Sequence, residues 1–290
     1  MYENILFPYD GSDGAAAVLH HAGELAHWAD GTITLLYVAD TSQHSVTRVE
    51  SSVVDGMVDH GTEVLESGTA TLDSLDADYT TDVVQGTPAE TIVDYAEEYD
   101  QDLIVMPTRG RQGLSQALLG SVTEKVVRLA ETPVLTARTV EDDRLDFPYD
   151  DILLPTDGSD AAGRAVDHGL SLAASLGATA HAFSAVDTGA VGVDDSGTLT
   201  TAGESAADEA VERVAAAGDE RGVDVRTHVA DGSPAAAIVE AVDDIGVDAV
   251  VMGTTGRRGI ERILLGSVAE KTVRSAPVPV ITVGDDGTDL

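Results

Sequence analysis

Most of this 290-residue sequence occurs twice. ILFPYDGSD at 5–13 returns as ILLPTDGSD at 152–160, VVQGTPAETIVDYA at 83–96 as VADGSPAAAIVEAV at 229–242, and DLIVMPTRG at 102–110 as DAVVMGTTG at 248–256. LLYVAD at 35–40 has a weaker echo in HAFSAVD at 181–187, and MPTRGRQGLSQALLGSVTEK at 106–125 matches MGTTGRRGIERILLGSVAEK at 252–271. The offset is 147 at Asp10 and Asp157 but 146 at Gly86 and Gly232, so one residue was gained or lost between those points. Self-similarity on this scale implies two homologous domains, 1–140 and 151–285, joined by a linker at 141–150. The joint, within TVEDDRLDFPYD, is charged, carries a proline and lacks periodicity, as linkers do.

Within each copy, short apolar and β-branched runs alternate with longer stretches of helical spacing. ILFPY, ITLLYV, DVV, LIVM and VLTA are the strand candidates of the first copy, and helical spacing covers 14–28, 51–75, 88–99 and 121–131. Thr87, Pro88 and Glu90 read as an N-cap, a proline at the first helical position and a box-closing carboxylate, and Ser233 with Pro234 repeats the device. Strands alternating with helices require right-handed crossovers and a parallel sheet covered on both faces. The fold class is therefore α/β, as two tandem doubly wound domains. In such sheets ligands bind beyond the carboxyl ends of the strands, where the strand order reverses.

At that place lies the glycine-rich stretch. Gly253-Thr-Thr-Gly256 follows the apolar run AVVM directly, and after nine more residues Gly266 and Ser267 open a helix. Ser267 with Glu270, and Ser121 with Glu124, have capping-box spacing, which accounts for Gly266 and Ser267 but not for Gly253 and Gly256. Phosphate binding accounts for all four: a helix N-terminus offers unpaired N–H groups and a positive dipole, a serine adds a donor, and glycine lets backbone approach an anion. The stretch is neither a P-loop, since it lacks the Lys of GK[ST], nor GxGxxG. Arg257 and Arg258 put two cations beside it, with pairing to surface carboxylates as the plainer use.

Gly253-x2-Gly256-x9-Gly266-Ser267 resembles the nucleotide-binding pattern of the universal stress protein family, and the likeness extends over nearly all of both repeats. The resemblance implies five-stranded parallel sheets of the adenine nucleotide alpha hydrolase-like type, paired through their last strands, PVLTA at 133–137 with PVPVI at 277–281. One chain would then be a built-in dimer, with or without further association of chains. It also implies a site in the second repeat. Asp157, with Pro155 and Thr156 before it, would face ribose and adenine; Ala185 would lie against the base; Met252, Gly253 and Gly256 would bracket ribose and phosphates; Gly266, Ser267 and Val268 would hold phosphate oxygens. The matching positions of the first repeat are Asp10, Val38, Pro107, Gly110, Gly120, Ser121 and Val122. Proline stands there in place of Gly253, which makes the second repeat the more competent site. The implied ligand is ATP, with Mg²⁺ carried by the phosphates.

Other chemistry is constrained by composition. The chain has no cysteine, so disulfide and thiolate chemistry are excluded. With 52 acidic against 16 basic residues the net charge is −36, and the only lysines are Lys125 and Lys271. Such a surface repels nucleic acid and anionic membrane. The carboxylates are dispersed along the chain rather than gathered in a tail, which fits a protein folded in a salt-filled cytoplasm. MYENILFPYDGSD has no basic n-region, and no apolar run approaches the roughly 18 residues of a membrane span; a cytoplasmic protein is expected.

Three functions remain in competition. The first is an adenine-nucleotide-binding stress protein, a sensor or chaperone-like module. The second is a nucleotide-independent interaction or assembly protein of the same fold. The third, an ATP-pyrophosphatase-type enzyme, needs an SGGxDS loop that YDGSDG and TDGSDA do not supply. No nucleophile, base and orienting group can be read together, so hydrolysis of bound ATP would be slow at most. An Asp-Gly-Ser run can also serve only as a turn and helix cap. His21, Glu24 and His27 share a helix face but do not form HExxH and have no counterpart in the second repeat. Asp243-Asp244 and Asp285-Asp286 read as solvated surface.

Overall fold

The structure, a computed structural model, describes residues 1–41, 51–109, 119–140, 143–186, 201–254 and 265–284, without the side chains of 51–58 and 201–202. Gly110, Gly256, Arg257, Arg258 and the Asp285-Asp286 pair lie outside the described residues. The chain divides into two units, Met1–Glu141 and Asp142–Leu290.

In the first unit the order is β1 (Asn4–Pro8), α1 (Asp13–Ala29), β2 (Thr32–Asp40), α2 (Ser51–Ser74), β3 (Asp78–Gly86), α3 (Pro88–Glu98), β4 (Leu103–Pro107), α4 (Ser121–Leu129) and β5 (Val134–Ala137). In the second it is β6 (Asp151–Pro155), α5 (Asp160–Leu176), β7 (Thr179–Val186), α6 (Thr201–Arg221), β8 (Val225–Asp231), α7 (Pro234–Ala241) with a π-helical turn (Val242–Gly246), β9 (Ala249–Gly253), α8 (Ser267–Ser275) and β10 (Val280–Val283). Within each unit the pairings are parallel, in the order β3-β2-β1-β4-β5 in one and β8-β7-β6-β9-β10 in the other. Each unit is thus a five-stranded doubly wound sheet. The chain winds from the central strand to one edge, then crosses back to the other.

Local chemistry sets the boundaries. Ser12 and Ser159 cap α1 and α5 by accepting from the amides of Ala15 and Ala162, each at 3.3 Å. Asp30 (φ 52°) and Gly177 (φ 71°) end the same helices in the left-handed conformation. Thr87 and Ser233 are N-caps followed by proline, as the sequence predicts, but neither hydroxyl makes the cap bond, so no capping box forms at Thr87. The central strands carry unbroken apolar runs because both faces are covered: Leu103–Met106 and Ile152–Leu154 are all buried. At the edges, β3 and β8 have only exposed and half-buried positions.

One turn shows how tightly α1 is joined to β2. A Cβ on Gly31 would lie 2.6 Å from the Tyr2 carbonyl oxygen and 2.9 Å from that of Glu3. Glu3 O also accepts from Thr32 N at 2.8 Å, so the backbone cannot yield without losing that bond. Gly31→Ala is expected to destabilise the chain by about 1–3 kcal/mol, read as a lower denaturant midpoint at unchanged slope. Gly163→Ala, at an exposed position of α5 where a Cβ meets nothing within 4 Å, is expected to be neutral or stabilising.

Candidate functional site

In both units the sheet opens at its carboxyl edge between the two inner strands. The ladder between β6 and β9 ends at Leu153↔Val250, whereas β6 stays paired with β7 to Pro155↔Phe183 and β9 with β10 to Gly253↔Val283. Residues 154–157 and 251–254 therefore diverge around a gap. The first unit does the same: β1 and β4 part after Leu6↔Ile104, while pairing continues to Pro8↔Leu36 and Pro107↔Ala137. This is the switch point at which a doubly wound sheet accommodates a ligand.

The aspartates stand at one side of each gap. Asp157 follows β6, and its Oδ1 accepts the amide of Ser159 at 3.0 Å; Gly158 takes φ 74° and donates to Thr156 Oγ1 at 3.1 Å. Asp10 repeats the turn, with Ser12 N at 3.0 Å and Gly11 at φ 75°. The turn fixes one carboxylate oxygen and leads straight into the capped helix. Pro155 and Thr156 are buried beneath it, and Asp157 is exposed. Ala185 and Val38, near the ends of β7 and β2, are half-exposed at matching places in the register.

Across the gap, β9 ends in buried Met252 and half-buried Gly253. Thr254 N bonds to Val283 O at 3.1 Å, and Gly266 N returns to Thr254 O at 2.8 Å. The latter bond ties the start of α8 to the end of β9. Alternation along the strand turns the amide of Gly253 away from β10, toward β6 and the gap. Gly266, not Ser267, is the N-cap (φ −60°, ψ 139°). The capping boxes expected at Ser267/Glu270 and Ser121/Glu124 are therefore not formed: both serines are first helical residues, and Glu270 pairs with Arg274 instead. Because Gly266 has no side chain, the amides of Ser267, Val268 and Ala269 receive no side-chain cap. That donor set fits a phosphate. Gly120, Ser121 and Val122 repeat the arrangement, with Gly120 N to Thr108 O at 2.8 Å.

Two details separate the repeats: the sequence shows the first, Pro107 in place of Gly253, but not the bond made to it, and sequence reading missed the second. Buried Pro107 occupies the place of Gly253, and its carbonyl accepts from Thr123 Oγ1 at 3.0 Å; the matching residue of the second repeat, Ala269, carries no hydroxyl. Tyr9, buried and 3.2 Å from Ser67 Oγ, stands where the second repeat has Thr156. Comparing the copies position by position exposes the two further differences, Thr123 against Ala269 and Tyr9 against Thr156.

Two histidines of α1 stand near Glu24. His21 Nδ1 is 3.9 Å from Glu24 Oε2 and His20 Nε2 is 3.8 Å from Glu24 Oε1. Among the described residues no three of His, Asp and Glu are grouped to hold a metal ion, and no described helix is long and apolar enough to cross a membrane.

Comparison with known proteins agrees with this architecture. The model of the universal stress protein family matches residues 1–138 and again 148–284. A universal stress protein of Methanocaldococcus jannaschii is 39% identical over 139 residues, 47% of this chain and 82% of that protein. One from Mycobacterium bovis is 31% identical over 206 residues, 69% of this chain and 67% of its own length. The crystal structure of a universal stress protein from Archaeoglobus fulgidus superposes with a TM-score of 0.76 at 23% identity, covering 98% of this chain and 99% of that one. At that identity the likeness is one of fold.

Proposed function

The chain belongs to the universal stress protein family, and on that premise we propose that its second repeat binds ATP, with Mg²⁺ on the phosphates, as a sensor or chaperone-like module in stress response. The observation that carries the reading is the gap between β6 and β9, with the carboxylate of Asp157 on one side and the α8 amides on the other. Pro155, Thr156 and Asp157 receive ribose and adenine. Ala185 gives the base a small apolar contact, and a carboxylate suits ribose hydroxyls because it only accepts. Met252 and Gly253 line the path to the phosphates, and Gly256, outside the described residues, is assigned to it by the family pattern. Gly266, Ser267 and Val268 hold phosphate oxygens. In the first repeat Asp10, Val38, Gly110, Gly120, Ser121 and Val122 form the weaker counterpart. ATP is a ligand in this reading, and the chain's residues bind and orient it without a chemical step. The acidic surface leaves nucleic acid and anionic membrane outside its partners, with the cytoplasm as its place of action.

Protein purified in molar salt, then denatured, is expected to release an adenine nucleotide identifiable by mass. In equilibrium dialysis Asp157→Ala and Gly253→Val are each expected to weaken ATP binding at least about tenfold, or 1.4 kcal/mol. Unchanged affinity in both variants would sink the assigned site. No nucleotide released and none bound would favour the nucleotide-independent assembly protein.

A further inference from the structure

A hydrogen-bonded chain of three titratable side chains crosses the second unit away from the proposed ligand gap. His181 Nε2 lies 2.7 Å from Asp151 Oδ1, and His181 Nδ1 lies 3.0 Å from His228 Nε2. His181 is 1% exposed, and the two rings are near parallel at 22° with centroids 5.2 Å apart. Register explains the meeting: Leu153 pairs with His181 and Phe183 with His228, so Asp151, His181 and His228 all project from one face of three adjacent strands. The first repeat has Asn4, Thr34 and Asp82 at these places, so the chain is peculiar to the second.

The proton positions follow from the partners. A carboxylate only accepts, so His181 donates from Nε2; its Nδ1 then accepts, and neutral His228 donates from Nε2. One added proton is accommodated at His228 Nδ1, and both bonds survive. With two, each histidine is an imidazolium and two N–H groups face each other across 3.0 Å with no acceptor. The contact between them then has to open. We propose that Asp151, His181 and His228 form a one-proton latch, and that a second proton breaks this side-chain bond between edge strand β8 and β7, which supplements their backbone ladder, making the β8 edge of this unit acid-sensitive.

The surroundings favour the latch. Arg226 is the cation on the same face of β8, paired in register with His181. Asp248, whose Oδ2 accepts the amides of Asp150 and Asp151, stands beside the chain's acidic end. α7 packs against β7 on this face and brings Glu240, and the π-helical turn after it brings Asp243 and Asp244, all three exposed. α6 lies on the opposite face, since a Cβ on its Gly218 would meet Val225, which alternates with Arg226 and His228. Burial, with His181 and Arg226 alongside, holds the pKa of His228 below the ordinary imidazole value. A depressed histidine gives its full stabilisation above the unfolded value near 6.5 and loses it as pH falls.

The test is residue-resolved amide exchange on the full chain in molar salt, corrected for intrinsic rates, at pH 7.5 and pH 5. β8 amides are expected to exchange at least tenfold faster at pH 5 relative to those of β9, and His228→Gln is expected to remove the difference. His168, pushed down to about 4 by burial, is present in both proteins, so its acid effect cancels. Nitrogen chemical shifts of the two rings in the unaltered chain should show two separated titration steps. An equal acid response of β8 in His228→Gln, or a single step shared by both rings, would overturn the latch; neither result bears on ATP binding.

Discussion

Dilution from 2 M to 0.05 M KCl is expected to lower the melting temperature by about 10 °C or more. The cause is the charge of −36 on 290 residues. Opposite charges compensate little of it: the described ion pairs Arg144–Asp243 (3.4 Å), Arg221–Asp167 (2.7 Å) and Arg274–Glu270 are surface or half-buried contacts, each worth roughly 0–1 kcal/mol. The remaining carboxylates repel one another most in the compact state. A Debye length of about 10 Å at 0.1 M lets each charge feel several neighbours, whereas about 3 Å at 1 M confines it to contacts. For units of this size 1 kcal/mol moves the midpoint by roughly 2–4 °C, so several kcal/mol of unscreened repulsion give the stated shift. Screening predicts that most of the rise comes below about 0.5 M, where the Debye length has already fallen to about 4 Å. A midpoint flat from low to molar salt would remove the case for adaptation to a salt-filled cytoplasm.

The same charge pattern was fully legible in the sequence, as was the duplicated α/β frame, because buried parallel strands must read as continuous apolar runs. VLTA is β5 residue for residue, and LIVM differs from β4 only by Pro107. DVV, by contrast, is only the middle of a nine-residue β3. As an edge strand it has no buried residue, only exposed and half-buried ones, and DYTTDVVQG offers no apolar run to mark its ends. The start of α8 was misread for a different reason: Ser267 has the right chemistry for an N-cap, but the bond from Gly266 N to Thr254 O at 2.8 Å makes the preceding glycine the cap. Asp151, His181 and His228 could not be found at all. Their meeting depends on the register of three strands, and nothing in the spacing of residues 30 and 47 apart encodes it.

Titration of the unaltered chain with MgATP in molar salt is expected to show one tight site per chain, and Pro107→Gly to strengthen a second. Both gaps share the aspartate turn and the tie from helix start to strand end, so both should attract an anion. They differ where β4 and β9 end. Proline has no N–H, so the first repeat lacks the amide that Gly253 turns toward its gap, and the ring occupies space that glycine leaves open. A hydrogen bond to a charged group contributes roughly 1.5–3 kcal/mol, which corresponds to a difference between the sites of about tenfold or more. Thr123 complicates the reversal, because its hydroxyl bonds to the Pro107 carbonyl at 3.0 Å and anchors this turn to α4. Pro107→Gly alone restores the amide; with Thr123→Ala it also restores the freedom of the second repeat, where Ala269 makes no such bond. The double variant is therefore expected to bind at the first site at least as tightly as the single one. Gly253→Pro should do the converse, weakening the tight site while leaving the first unchanged. Two equal sites in the unaltered chain would show that position 107 tolerates proline because the ligand never approaches it.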